Sequence, residues 1–600
     1  MFIKEIKKKN SYSDKVFTYH RLIESYRTPK GPRHRTILNL GTLTIDKSEW
    51  KLLANRIEEI VYEQESLFDT TPHIEQLAQH YASLISHRQV ERKGEGVERE
   101  AEDFRRVDIN SVRTMQVRTI GAEHIAHSYF QRIEIPKVLA SLGFSEDEIN
   151  IVELLVAGRL ISPGSENHTL RWAQEITGLG ELMNTSFKNL PKNRLYRCLD
   201  RVFEFKDRIE EELKIRQEDI FNLKEKIILF DLTNTYFEGK KYDKKIAYGR
   251  SKEKRSDCPL ISIGLLIDEK GFLKSSRFFE GNISEPKTLQ TVLNSLSSKN
   301  KPTIIMDAGI ATEDNLKLLR SKGFDYICVS RSKPKFEFDK ETPLIMLGVN
   351  SDNQVEARKM IDNNEVILFC KSNRKAEKEQ SMLQRFKQKY EEGLEHIKEA
   401  LTKKGGTKKY AKVLERIGRL KEQSHGVHRL YNIHIEHDAK GIVTKINYEF
   451  LEKENILEQY KGQYYLRSSR IDLDEKQLWE LYLTLNGIED SFRTLKDELN
   501  IRPIYHRKQN RIEAHLFITL LAYQVLNAVR HNLNEKGLFM RWKTLRETMS
   551  THVISTVKLK EDNNKSILIR TCSEPEFHHK DIYQALSVSS NPIPHRKAHL

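Results

Sequence analysis

Six hundred residues, 38% hydrophobic and 31% charged, describe a soluble folded chain of about three to five structural modules and exclude a disordered one. Five cysteines (Cys198, Cys258, Cys328, Cys370, Cys572) lie far apart with no C-x-x-C pair, which argues against a disulfide framework or a structural zinc site and suits a reducing compartment. The formal charge of +15, from 101 Lys+Arg against 86 Asp+Glu, permits nucleic-acid binding without identifying it.

The opening MFIKEIKKKN is basic with no apolar run behind it, so no signal peptide is expected and the chain is placed in the cytoplasm. Residues 1–45 read as an N-terminal β module. Val16 to Tyr26 roughly alternates polar and apolar, Pro29-Lys30-Gly31-Pro32 supplies a turn, and Arg35 to Leu40 forms a second run. Basic residues line both arms, which suits either a DNA contact or an appendage packed on the next domain. Residues 46–110 read as a helical segment (47–88) and a charged linker (Glu91 to Arg106). Residues 111–225 are expected to form a helical DNA-end-binding domain. Ser145-Glu146-Asp147-Glu148 makes a capping box there, and Pro163-Gly164 a break.

The texture then becomes α/β. Within 226–335, the buried strand Ile227 to Phe230 ends at Asp231, and strands follow at 259–267 and 272–280. A helix at 286–298 leads to a strand, Thr303 to Met306, that ends at Asp307. A helix at 312–322 and a strand from Tyr326 to Val329 complete this part. Two antiparallel strands followed by parallel strands with helical crossovers predict a ribonuclease-H-like catalytic core. Residues 336–470 interrupt it as an α/β insertion. It comprises a helical hairpin at 374–425, with Gly405-Gly406 between its arms, and β-strands placing Ile442, Thr444, Ile446, Tyr448 and Phe450 on one face. Residues 471–535 form the second part of the core, opening on a long helix at 474–499. The apolar stretch Leu516 to Leu526 is too short to cross a bilayer. Residues 536–600 are left as a C-terminal tail region.

A carboxylate at the end of a buried strand is costly unless a cation or proton neutralises it. Asp231 and Asp307 each stand at such an end, where an α/β sheet places its ligands. Each could instead simply cap the following turn; together they form a hard-metal pair. On the 474–499 helix, Glu489, Arg493 and Lys496 share a face beside the buried stripe of Tyr482, Leu485, Ile488, Phe492, Leu495 and Leu499. Asn486 and Gly487 are poor helix formers one turn before Glu489, as close approach of a ligand would justify. A basic loop follows, Ile501-Arg502-Pro503-Ile504-Tyr505-His506-Arg507-Lys508, and basic groups beside a metal acid are what a phosphodiester requires. No phosphate-binding P-loop is present, so no nucleotide cofactor is expected.

In FDLTNTYFEG (230–239), IIMDAGIATEDNL (304–316) and LYLTLNGIEDSFRTLKDELNIRPIYHR (481–507) the chain resembles the DDE insertion-sequence transposases. It looks closest to the branch with a β-rich insertion before the third acid and a Y-x2-R-x3-E-x6-K signature. Tyr482, Glu489 and Lys496 match that signature, and Leu485 stands where its arginine would be. The resemblance implies catalytic, metal-binding Asp231, Asp307 and Glu489 holding two Mg²⁺ ions, with Mn²⁺ as a substitute. It implies DNA contacts at Tyr482, Arg493, Lys496, Arg502, His506 and Arg507. It also implies cleavage at transposon ends, strand transfer into target DNA, a homodimer assembled on DNA, and work at the nucleoid with no membrane partner. The alternatives are a catalytically inactive, transposase-derived DNA-binding protein and a metal-dependent nuclease on the same fold.

Overall fold

The computed structural model describes residues 1–9, 16–28, 31–61, 70–93, 104–223, 227–238, 245–255, 257–294, 296, 301–332, 343–348, 354–362, 364–451, 461–562 and 565–599. The middle of the expected linker (94–103) and parts of the expected insertion (333–342, 349–353, 452–460) lie outside them. The chain divides into two compact units: Met1–Val112 with Lys558–Ile567 and His599–Leu600, and Arg113–Val557 with Leu568–Ala598.

In the first unit, β1 (Phe2–Lys9), β2 (Val16–Thr28) and β3 (Gly31–Gly41) form an antiparallel sheet in that order. Leu22, Leu38 and Leu40 point from it onto Leu53, Ala54 and Ile57 of the helix Trp50–Val61 and Ile74 and Ala78 of the helix Pro72–Lys93. Strand β4 (Val107–Thr119) leads into the second unit.

The second unit has a mixed α/β architecture. Seven helices precede its main sheet, among them Glu146–Ile161. That helix begins as its sequence requires: the Ser145 hydroxyl accepts from the Glu148 N–H, and the Glu148 carboxylate accepts from the Ser145 N–H at 2.9 Å. The main sheet contains β5 (Ile227–Tyr236), β6 (Leu260–Ile267), β7 (Leu273–Glu280), β8 (Thr303–Met306), β9 (Tyr326–Val329), β10 (Ile345–Leu347), β11 (Val355–Asp362), β12 (Glu365–Ser372) and β15 (Gln463–Ser468). Its order is β10-β11-β12-β15-β9-β8-β5-β6-β7. Strand β5 is antiparallel to β6 and parallel to β8, and β8 is parallel to β9. Alternation along β5 sends Ile227 and Leu229 into one core, and Ile228, Phe230 and Leu232 into another on the opposite face.

Several expectations are corrected. The residues read as an insertion are not confined to a separate module: β10, β11, β12 and β15 extend the main sheet beyond β9. The helical hairpin is present as Asn373–Thr402 and Tyr410–Gln423, packed on β13 (Tyr431–His437) and β14 (Val443–Phe450). A bulge at Glu436/His437 shifts the register there, so Val443 joins Ile446 in the core while Thr444 is exposed. The helix expected at 286–298 is a 3₁₀ turn, Glu285–Thr288, and a short helix, Leu289–Leu293. The helix expected at 474–499 is broken into Glu475–Leu483 and Asn486–Arg493, followed by a π-helical turn, Thr494–Glu498. Asn486 and Gly487, weak helix formers, start the second piece, and the Gly487 N–H is turned back to the Thr484 carbonyl at 2.8 Å.

The apolar stretch around Leu516 belongs to a helix of 27 residues, Gln509–Glu535, which by length and composition could cross a membrane. Its apolar window is wholly buried in the second unit, which accounts for that composition without a bilayer. The C-terminal region is folded as well, with a helix at Trp542–Met549, strands β16 (Val553–Glu561), β17 (Ser566–Cys572) and β18 (Arg596–His599), and a helix at Phe577–Leu586.

Candidate active site

Parallel pairing of β5 with β8 sets Phe230 opposite Met306, so the next residues, Asp231 and Asp307, stand at the same level. Asp307 directly follows β8, whereas Asp231 lies inside β5, which runs on to Tyr236 paired with β6 and does not end at the acid as expected. The Leu232 N–H donates to Asp231 Oδ1 at 2.7 Å, and the Ala308 N–H donates to Asp307 Oδ1 at 2.7 Å. Burial pushes the Asp231 carboxyl up to about 6; the Lys252 ammonium and the Leu232 N–H pull it back, while the Asp307 and Glu285 charges add to the rise. Arg331 holds the backbone after Asp307, donating to the Ala308 carbonyl at 2.6 Å and to the Gly309 carbonyl.

Glu489 lies on the helix Asn486–Arg493, which packs on β5; a Cβ on Gly487 would stand 3.8 Å from the Leu229 Cδ1. That is ordinary contact, so the space at this position does not demand glycine. Ser491 Oγ accepts from the Tyr523 hydroxyl at 2.8 Å, and Asp490 pairs with Arg530 at 2.5 Å, tying this helix to Gln509–Glu535. Glu489 therefore stands on a helix fixed from two sides. Tyr482 feels both remaining acids: burial first, then the Asp307 and Glu489 charges, push its phenol up to about 12. Asp231 and Asp307 thus stand on neighbouring strands, and Tyr482 lies within electrostatic reach of both Asp307 and Glu489.

Among the described residues, Glu489 has no hydrogen bond or ion pair, and both Asp307 and Glu489 are exposed. Three carboxylates are a donor set suited to hard divalent cations. Lys252 Nζ already acts as a cation there, 3.7 Å from Asp231 Oδ1 and 3.1 Å from Glu285 Oε1. Glu285 is an acid the sequence reading missed. It comes so close to the loop after Asp307 that a Cβ on Gly309 would lie 2.3 Å from its Oε2.

The expected DNA contacts are distributed unevenly. Lys496 Nζ and Arg502 both pair with Glu253 Oε1, the former at 3.2 Å. Arg493 pairs with Asp490, and Arg507 is exposed. His506 instead turns inward: its Nε2 lies 2.7 Å from Glu166 Oε2, and its side chain is 8% exposed. Leu485 packs against the core and supplies no charge.

Glu166, His506 and His515 are close enough to share a metal. Arg159 argues against it, because its Nη2 lies 2.9 Å from His515 Nδ1, the atom that also meets Glu166 Oε1 at 2.7 Å. A buried guanidinium holds the position a cation would take, and the cluster is a charge network joining three helices to the 501–508 loop. A cavity of about 500 Å³ lined by Arg118, Gln174, Lys188, Arg570 and Arg596 contains none of the acids.

Residues 222–525, a buried sheet with acids at one level of adjacent strands, match the family described as transposase DDE domain, and residues 6–69 match the N-terminal domain of IS1634 family transposases. The chain belongs to the DDE transposase family. It is a DNA transposase, an enzyme of a family that works with divalent metals on DNA. No curated protein matches it. A solved structure described as the cryo-EM structure of piggyBac transposase synaptic complex with hairpin DNA is similar over 75% of this chain and 82% of that one, at 11% identity and a TM-score of 0.33.

Proposed function

We propose that the second unit carries a ribonuclease-H-like catalytic core in which Asp231, Asp307 and Glu489 bind two Mg²⁺ ions, replaceable by Mn²⁺. The observation that carries this reading is the parallel register of Phe230 with Met306, which brings the two aspartates to one level of the sheet, with the helix of Glu489 packed on β5. Divalent ions bound there would activate the attacking hydroxyl and offset charge on the leaving 3′ oxygen. Asp231, on β5 beside both β8 and the helix of Glu489, is read as the shared ligand, with Asp307 and Glu489 each completing one site.

Lys496 and Arg502 are read as contacts to phosphate near the transposon end, with Arg493, Arg507 and Tyr482 beside them. His506 holds the loop through Glu166. In the first step water attacks the end phosphodiester; one P–O bond forms, one breaks, and the departing 3′ oxygen takes up a proton. In the second, that 3′-hydroxyl attacks a target phosphodiester with the same balance. The same acids serve both steps because only the attacking hydroxyl changes. The proposed working form is a homodimer on two transposon ends, at the nucleoid in the cytoplasm.

The test uses the purified full chain and duplexes cut from the DNA that flanks its coding region, with Mg²⁺, Mn²⁺ or EDTA. Cleavage and joining should need the metal and be lost in Asp231→Ala, Asp307→Ala and Glu489→Ala while end binding remains. Cleavage surviving any one substitution would remove that acid from the site. Cleavage without joining under every condition would favour a nuclease, and binding without chemistry a DNA-binding descendant.

A further inference from the structure

The loop from β5 to β6 carries Gly249-Arg250-Ser251-Lys252-Glu253, a charged run that the reaction above does not use. It is firmly built. Asn234, buried on β5, accepts from the Lys252 N–H at 3.1 Å and donates to the Arg250 carbonyl at 2.9 Å. Ser251 Oγ accepts from the N–H groups of Glu253 at 3.1 Å and Arg255 at 3.2 Å. Ala247 bridges to Leu260, and Gly249 passes so close to the end of β7 that a Cβ would lie 2.3 Å from the Gly281 carbonyl oxygen.

This frame aims two adjacent side chains at opposite halves of the site. Lys252 goes to the acids, as described. Glu253 goes to the bases: its Oε1 takes both Lys496, at 3.2 Å, and Arg502. The three side chains are largely covered, at 15% exposure for Glu253, 17% for Lys496 and 25% for Arg502. Arg502 is also laid over the Tyr236 ring, 5.7 Å from its centroid.

One carboxylate between two cations leaves a surplus of one positive charge. A bridging phosphodiester carries one negative charge, so the trio matches it as a unit, and Glu253 need not leave for DNA to bind. Without Glu253 the two cations would repel each other, and both would keep long, mobile side chains.

We infer that Glu253 is a positioning residue of DNA strand cleavage, holding Lys496 and Arg502 as one fixed cationic pair facing the phosphate next to the acids. This rests on the reading that Lys496 and Arg502 meet DNA phosphate.

The test takes the full chain and the flanking-DNA duplex, with Kd measured in EDTA and single-turnover cleavage measured with Mg²⁺. Glu253→Gln should slow cleavage about 10- to 30-fold, as small misplacements near reacting groups do, and change Kd by less than about 3-fold. Because Glu253 acts through its two partners, adding Glu253→Gln to the Lys496→Ala/Arg502→Ala variant should slow cleavage no further, within about 2-fold. A further loss of about 10-fold or more in that triple variant would overturn the assignment. So would tighter binding with undiminished cleavage, which would make Glu253 a competitor of phosphate. Equal losses of binding and cleavage with a lower Tm would reduce it to a fold contact. If Lys496→Ala and Arg502→Ala both cleave at the wild-type rate, the phosphate reading itself falls, whatever Glu253→Gln does.

Discussion

The Lys252 ammonium stands 3.7 Å from the Asp231 carboxylate, a cation facing an acid in the middle of a buried strand. A divalent ion and this ammonium compete for the same charge. Lys252→Met should therefore tighten Mn²⁺ binding to the DNA-free protein about 3- to 10-fold, the scale of one partly exposed ion pair. Calorimetric titration at pH 8, where Asp231 is ionised, reads this directly. An unchanged or weaker Kd would mean that Lys252 supports the metal site instead of filling it.

Proton competition at the same acid sets a pH dependence. With Asp231 raised to about 6, its carboxylate is free above that pH and increasingly protonated below it. Metal affinity should be level from pH 8 to about 6.5 and then fall, by up to about tenfold per pH unit, towards pH 5. A Mn²⁺ affinity that stays flat down to pH 5 would contradict the burial of Asp231 as the controlling influence.

The network around Glu166 makes a prediction about stability. Burial alone would raise the Glu166 carboxyl, but His515 and His506 hold it well below the usual range, and it answers the buried Arg159. Glu166→Gln leaves that guanidinium uncompensated and should cost about 3–5 kcal/mol, seen as a lower denaturant midpoint. Acid acts in the same direction. Burial lowers His515, His124 and His552 to about 4, so the unfolded chain takes up protons from about pH 6.5 while the folded one resists. Glu166 adds stability that is lost only below the ordinary carboxylate range. Tm should fall steadily from pH 7 to pH 4; a Tm maximum near pH 5 would refute this account.

Gly249 tests the charged loop without touching a charge. In Gly249→Ala the new Cβ meets backbone on both near sides, 2.3 Å from the Gly281 carbonyl oxygen and 3.1 Å from the Asn282 Cα, so the loop must move. Cleavage of flanking DNA should drop about tenfold or more, while Mn²⁺ binding tightens as in Lys252→Met. Wild-type values for both would mean that the loop's placement does not matter to the site.

The neighbouring placement of Asp231 and Asp307 was legible because each follows a short apolar run, and because a crossover between two such runs makes them parallel. The break before Glu489 was hidden by the stripe Tyr482, Leu485, Ile488, which continues in helical spacing across it; only Asn486-Gly487 marked the place. Nothing in the sequence marks Lys252, Glu253 and Glu285, because their partners are set by tertiary folding: Glu253 and Arg502 are 249 positions apart. His506 misled in the same way. Its basic neighbours suggested DNA, whereas the residue that holds it, Glu166, lies 340 positions earlier. Within 336–470 the hairpin around Ile446 was legible, whereas β10, β11 and β12 were not: β10 is three residues long, and β11 and β12 vary from the simple two-residue rhythm.

That segment's entry into the main sheet has a consequence for any attempt to shorten the protein. Strand β15 supplies the hydrogen-bonding neighbour of β9, through Leu466 with Val329 and Ser468 with Ile327. A chain cut at 336 and rejoined at 470 would leave Tyr326–Val329 as a bare edge, with Tyr326, Ile327 and Cys328 still fully buried types. Such an edge invites pairing with another copy. The intact chain ends its sheet instead on the three-residue β10. Truncated versions should accordingly come out of cells as aggregates, and a smaller transposase built on this chain would need a replacement strand at that position.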